Sequence, residues 1–319
     1  MAQRVLIVDD NRVNVELLKA QLKPYGYELD TAYDGEEALA KIQQCHPDLV
    51  LLDLMMPKVS GYEVCRSIKQ NKDTQFIPVI IITALSELDD KIKAIELGAD
   101  DFLVKPFNKL ELTSRIKSLL NVKSLHDDLD RSENILFSLV KALEAKDVYT
   151  SGHSERVAHY GTQLAKYIGL EEKEIEVLRK GALLHDIGNI GVKEDVLLKP
   201  GAFTPAEMEH IKIHPAVGYD ICKPLKSIAP CLCVIRSHHE RVDGEGYPDH
   251  LCSKDIPLIA KITSVADSYD AMVTDRPYRK KMAKEEALKI FEKEKKNGQW
   301  DPVVVEAFLA MMHSLKEIK

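Results

Sequence analysis

Over residues 4 to about 120, five short apolar runs alternate with segments whose apolar residues recur at three and four. No other feature narrows the possible folds as much. The runs are RVLIVDD, YELDTA, DLVLLDL, IPVIIIT and DFLVKP, and between them lie VNVELLKAQL, GEEALAKIQQ, GYEVCRSIK and KIKAIELGA. Short apolar runs separated by helical periods predict an α/β domain with a doubly wound, five-stranded parallel sheet. The central runs show almost no polar alternation, as strands covered on both faces require. From about residue 130 onward the grammar changes: nearly everything reads as helix, which predicts an all-α helical bundle. A chain of 319 residues exceeds what one core usually organises, so two domains are expected.

The join between the halves carries its own pattern. Leu112, Ile116, Leu119, Val122, Leu125, Leu129, Leu136 and Leu143 recur at steps of three, four or seven, and no glycine or proline interrupts residues 107 to 151. The last helix of the first domain is therefore expected to continue as a connecting helix. Its apolar stripe either pairs with a second copy in a homodimer or packs on the chain's own two domains. The expected boundaries are 1–122 for the first domain, 123–140 for the helical linker and 141–319 for the second domain.

Composition excludes several classes. With 45% apolar and 30% charged residues the chain is an ordinary globular protein, and a net charge of -7 argues against sequence-independent nucleic-acid binding. No apolar run approaches the ~20 residues that cross a bilayer, so membrane insertion is not expected. MAQRVLIVDD reads as a first strand rather than a signal peptide, and a cytoplasmic location with reduced thiols follows as the expectation. Cys231 and Cys233 form a spaced pair but lack the second pair that a structural metal site needs.

Ligands of open α/β sheets sit at the carboxyl ends of the strands. There the sequence places Asp9 and Asp10 after the first run, Asp53 after the third, Thr83 at the end of the fourth and Lys105 after the fifth. Clustered carboxylates repel unless a cation binds, and all-oxygen ligands favour Mg2+. A carboxylate beside Mg2+ can attack a phosphoryl group in line, while a lysine and a hydroxyl hold the transferred oxygens. Residues 3 to about 122 resemble the receiver domain of two-component response regulators, through DD at 9–10, DLMMP at 53–57, ITA at 82–84 and KPF at 105–107. The resemblance implies a flavodoxin-like fold with Asp53 as phosphoacceptor, and Mg2+ held by Asp9, Asp10, Asp53 and the Met55 carbonyl. It further implies Thr83 and Lys105 as phosphoryl contacts, Phe102 as the aromatic switch, and a cognate sensor histidine kinase as partner.

The second half concentrates a different chemistry in His153, His185, Asp186, His214, His238, His239 and Asp267. The adjacent pairs aside, these residues are spaced 24 to 32 apart, about one helix plus a loop. A helical bundle can aim such side chains at one point. Imidazoles and carboxylates without thiolate suit Fe, Mn, Ni or Zn. Two such ions with Asp186 between them would stabilise the attacking and leaving oxygens of an in-line phosphoester hydrolysis. The surrounding segments resemble the HD-GYP family of metal-dependent cyclic di-GMP phosphodiesterases over about residues 135 to 312. They are DVYTSGHSERVA, LLHDIGNIGV, LLKPG, HPAVG, HHERVDGEGYP, IPLIAKITSVADSYDAMVTDRPYR and NGQWDP.

By that resemblance the seven residues are the ligands of two metals, and cyclic di-GMP is the substrate, opened to pGpG or on to GMP. Tyr247 of the Gly-Tyr-Pro turn, Asn189, Arg276 and Arg279 then contact substrate; a guanidinium fork suits a phosphate. Tyr149 stands where some members carry a glutamate for a third metal. Two departures matter. The family's HDIGK block reads HDIGN here, which puts Asn189 in place of a lysine, and Val242 replaces a common aromatic. On a helix, positions 185 and 189 share a face, so Asn189 is expected to point toward the metals. Its lost charge opens a second reading: a weak enzyme acting as a nucleotide sensor, or as a partner for a diguanylate cyclase-type protein. A third is hydrolysis of a mixed cyclic GMP–AMP. No DNA-binding module is left over.

Overall fold

The computed structural model describes residues 2–84, 88–146, 151–199, 201–275 and 280–317. Five strands, β1 (Arg4–Val8), β2 (Glu28–Ala32), β3 (Leu49–Leu52), β4 (Val79–Thr83) and β5 (Asp101–Val104), form one parallel sheet in the order β2-β1-β3-β4-β5. The helices α1 (Arg12–Leu22), α2 (Gly35–Cys45), α3 (Gly61–Gln70), α4 (Leu88–Glu96) and α5 (Lys109–Glu144) complete the α/β unit. β3 and β4 are buried at every position, whereas the edge strand β2 alternates polar and apolar residues and is only partly covered. This is why only the central runs lack polar alternation. Helix starts are set locally: Asp34 caps α2, and Ser60 with Glu63 forms a reciprocal capping box on α3.

The chain divides into two compact units, Met1–Asp130 and Arg131–Lys319, and the division falls inside α5. Leu112, Ile116 and Leu120 of this helix lie in the core of the first unit, while Leu136 and Val140 lie in the core of the second. Between these anchors Val122, Leu125 and Leu129 are 62%, 67% and 50% exposed.

The second unit is helical: α6 (His153–Ile168), α7 (Glu172–Leu184), α8 (Glu194–Leu197), α9 (Pro205–Ile211), α10 (His214–Cys222), α11 (Leu232–Ser237), α12 (Leu258–Val273), α13 (Lys284–Glu294) and α14 (Pro302–Glu317). Its largest core gathers Leu164, Leu178, Ile262, Tyr269, Phe291, Trp300 and Phe308 from α6, α7, α12, α13, the segment before α14 and α14 itself. Both domain architectures are as the sequence predicts. Among the described residues no helix is long and apolar enough to cross a membrane.

Candidate phosphoryl and metal sites

The strand register builds the first site. Val8 pairs with Leu52, so the residues that follow, Asp9 and Asp53, emerge side by side at the carboxyl edge of the sheet. Thr83 pairs with Val104, which brings Lys105 to the same edge. The Lys105 ammonium donates to Asp9 Oδ2 at 2.7 Å and to Asp53 Oδ1 at 2.9 Å. Asp9, Asp53 and Thr83 are buried, and Asp10 and Met55 are exposed. Burial raises the Asp53 carboxyl above its ordinary range despite the Lys105 hydrogen bond. Asp9 is further held by two bonds from the Asn14 amide. Phe102, on β5, packs partly buried against the sheet core.

In the second unit, α6 begins with His153, His185 and Asp186 directly follow α7, α10 begins with His214, His238 and His239 directly follow α11, and α12 carries Asp267. Two groups form with ligand atoms within 4.8 Å of one another, one of His153, His185 and Asp186, the other of Asp186, His214, His238 and His239. Asp186 belongs to both, and its two oxygens divide between them. Oδ2 lies 3.5 Å from His185 Nε2 and 3.9 Å from His153 Nε2, whereas Oδ1 lies 3.3 Å from His214 Nε2 and 3.9 Å from His238 Nε2. Asp267 Oδ1 approaches His153 Nε2 at 3.2 Å.

Four imidazoles are fixed from behind. His185 Nδ1 meets the Ala182 carbonyl at 2.7 Å, His214 Nδ1 the Ile211 carbonyl at 2.8 Å, and His238 Nδ1 the Ile235 carbonyl at 2.9 Å. His153 Nδ1 meets Asp270 Oδ2 at 2.8 Å. A carbonyl only accepts, so each of those three Nδ1 atoms carries the proton and each Nε2 turns a lone pair inward. Among the described residues the buried Nε2 of His185 has no hydrogen-bond partner. An orphaned buried nitrogen facing a carboxylate fits a cation and is costly without one.

The electrostatics agree. Burial alone would raise Asp186, but His185, His214, His153 and His238 around it hold it well below the carboxylate range. Burial and the neighbouring imidazoles push His238 far down and His239 to about 4, keeping both neutral and able to ligate. His153 is the exception. Burial opposes its charge, yet Asp267 and Asp270 outweigh it and lift its pKa to about 10, so a cation binding there must displace a proton.

Residues 5–117 match the response regulator receiver domain and residues 138–304 match the HD domain. Nearly the whole chain aligns with known relatives. It is 36% identical to a probable cyclic di-GMP phosphodiesterase of Vibrio cholerae serotype O1, over 96% of this chain and 77% of that protein. It is 33% identical to the cyclic di-GMP phosphodiesterase response regulator RpfG of Xanthomonas campestris pv. campestris, over 98% and 89%. With a cyclic di-GMP phosphodiesterase of Thermotoga maritima the identity is 35%, over 98% and 92%. The chain belongs to the HD-domain response regulators.

In this response regulator the structure brings all seven candidate ligands together, and places Tyr247 against His239 with ring centroids 4.8 Å apart. Arg276, Arg279 and Tyr149 lie outside the described residues. Asn189 lines a cleft with Val140, Leu143, Glu144, His153, Asp186 and Leu197. The expected helix through 185–189 is corrected: α7 ends at Leu184, and Ile187–Gly191 is a 3-10 turn. Two glycines in five residues disfavour a continued helix. Gly188 also passes so close to α10 that a Cβ there would sit 1.9 Å from the His214 carbonyl oxygen. Asn189 reaches the cleft through this turn instead.

Sequence reasoning missed the residues behind the ligands. Asp270, fully buried, takes Arg156 Nε at 2.7 Å and Nη2 at 3.1 Å as well as His153. Glu240, buried beside His239, accepts from the Asp249 and Leu251 amides and so holds the loop that carries Tyr247. Gly246 in that loop is required, because a Cβ would meet Arg241 N at 2.3 Å.

Proposed function

We propose that this chain is a phosphorylation-regulated hydrolase that opens cyclic di-GMP to pGpG or GMP at a binuclear site of Fe, Mn, Ni or Zn. The observation that carries the reading is the split of Asp186, one oxygen to each of two groups of imidazole Nε2 atoms. A single carboxylate serving two ligand groups is what a bridged metal pair needs. His153, His185 and Asp267 would hold one ion, and His214, His238 and His239 the other. The two ions would supply charge stabilisation to the attacking and leaving oxygens of the phosphodiester. The chain's own residues do the rest. Asp270 and the backbone carbonyls keep the rings in register, Tyr247 and Asn189 border the nucleotide's place, and Arg276 and Arg279 would clamp its phosphates. The names of the three relatives support the substrate.

In the receiver, Asp53 would take the phosphoryl group from a sensor histidine kinase, with Mg2+ on Asp9, Asp10, Asp53 and the Met55 carbonyl. Thr83 and Lys105 would bind the transferred oxygens, and Phe102 would report the change. The chain would work as a homodimer through α5. A second reading rests on Asn189, an uncharged side chain in the cleft where the family carries lysine: a module with weak turnover that binds the nucleotide or a diguanylate cyclase-type protein.

Anaerobic turnover of cyclic di-GMP, with bound metal quantified, tests both. Turnover with about two metals per second domain, both lost in Asp186→Ala, is the expected result. Bound metal and saturable nucleotide binding without turnover would move the protein to the second reading.

A further inference from the structure

The residues on either side of His153 are held from an unexpected quarter. The N-cap of α6 is Gly152, which has no side chain to cap the first turn. Exposed N–H groups at a helix start need acceptors, and a carboxylate there also suits the helix dipole. Glu144, the last residue of α5, supplies them: it accepts from Gly152 N at 2.9 Å and from Ser154 N at 2.7 Å. The same side chain borders the cleft with His153, Asp186 and Asn189. The backbone carrying a candidate metal ligand is thus pinned by the terminus of a helix whose first turns lie in the receiver core. Near that terminus α5 is fixed to the second unit by Leu136 and Val140, and by buried Glu133, which takes Lys180 Nζ at 2.6 Å.

We propose that Glu144 is a positioning residue for His153 and the point at which α5 passes the state of the receiver to the metal centre. This rests on the reading of the histidine–aspartate cluster as a metal site. An uninterrupted helix keeps its rise and phase, so a shift or rotation of α5 moves Glu144, and with it the Gly152–Ser154 backbone. Loss of the clamp frees His153 to turn away from Asp186, although Asp270 still holds its ring from the other side.

The test is Mn2+ titration calorimetry of EDTA-stripped, full-length protein, with and without Mg2+ and beryllofluoride, counting only the binding that Asp186→Ala abolishes. Far-UV circular dichroism checks each variant's fold. Glu144→Ala is expected to weaken Mn2+ about tenfold or more, as loss of supports behind ligands does, and Glu144→Gln, which keeps one acceptor, less. Glu133→Gln, which weakens one anchor of α5 but leaves the Glu144 clamp and the Leu136 and Val140 anchors in place, loses less affinity than Glu144→Ala. Beryllofluoride shifts the affinity of the wild type and leaves Glu144→Gln unmoved. Wild-type affinity in both Glu144 variants, or an equal loss in Glu133→Gln, overturns the positioning role. A beryllofluoride shift that persists in Glu144→Gln, or is absent from the wild type, overturns the relay. If the wild type shows no Asp186-dependent binding, the metal reading itself fails, an outcome distinct from these.

Discussion

Two residues, one in each unit, make statements that can be tested singly. Asn189 lines the cleft with His153 and Asp186, and on the proposed function a lysine there would bring a positive charge toward the phosphodiester. A unit charge pair at ~4 Å is worth roughly 4 kcal/mol at an effective dielectric of ~20. Recovering half of that corresponds to roughly a 30-fold faster step. Asn189→Lys is therefore expected to raise the single-turnover rate constant by up to about that factor with unchanged metal content; an unchanged rate constant would clear Asn189 of any role in the chemical step. Asp53 makes the opposite kind of statement. Burial raises its carboxyl, so the ionised form is disfavoured in the fold. For an acid whose folded pKa is raised, the stabilising contribution is present below the unfolded value of ~3.9 and lost as pH rises through the folded value. At neutral pH without Mg2+ the charge thus costs stability. Asp53→Asn should raise the receiver's unfolding transition in EDTA by calorimetry, and the gain should vanish when the pH is lowered below ~4 or when Mg2+ is added.

At the scale of elements, the site depends on how tightly backbone segments pass one another. Gly188 lets the 3-10 turn run against the first residue of α10, and a Cβ would overlap the His214 carbonyl oxygen. Overpacking of this kind typically costs about 1–3 kcal/mol. Gly188→Ala is expected to lose that much stability in denaturant melts, and to lose metal first from the His214 group as α10 is pushed back. This contact also shows where the sequence ran out. The strands were legible because β3 and β4 are apolar at nearly every position, and the ligands were legible because histidines and aspartates cluster in ordered blocks. Asp270 and Arg156 were not. Their partners lie 114 and 117 residues apart in the chain, and a lone charge on a helical pattern reads as a solvated face. The carbonyls of Ala182, Ile211 and Ile235 leave no trace in side-chain chemistry at all. Helical spacing also misled at 185–189: Asn189 lines the cleft from a 3-10 turn and not from a helix face shared with His185, because a close backbone approach leaves no periodic signal.

At the scale of the whole molecule, α5 leaves Val122, Leu125 and Leu129 mostly exposed at three- and four-residue spacing between its two buried anchors. Pairing with a second copy would cover six such side chains, and about half of each is still to be buried. At roughly 1 kcal/mol apiece this contributes about 6 kcal/mol. Association costs at least about 4 kcal/mol in lost translation and rotation. The stripe alone therefore supports only a weak dimer, and a weak dimer is one that a change in the receiver can shift. Sedimentation equilibrium is expected to show a dimer that appears with rising protein concentration and strengthens with Mg2+ and beryllofluoride. Leu125→Glu combined with Leu129→Glu should leave a monomer throughout, with helix content and Asp186-dependent metal binding intact. If the double variant still dimerises, the contact lies elsewhere; if the wild type stays monomeric with beryllofluoride, the exposed stripe is not a dimer seam and the receiver acts on the metal centre within one chain.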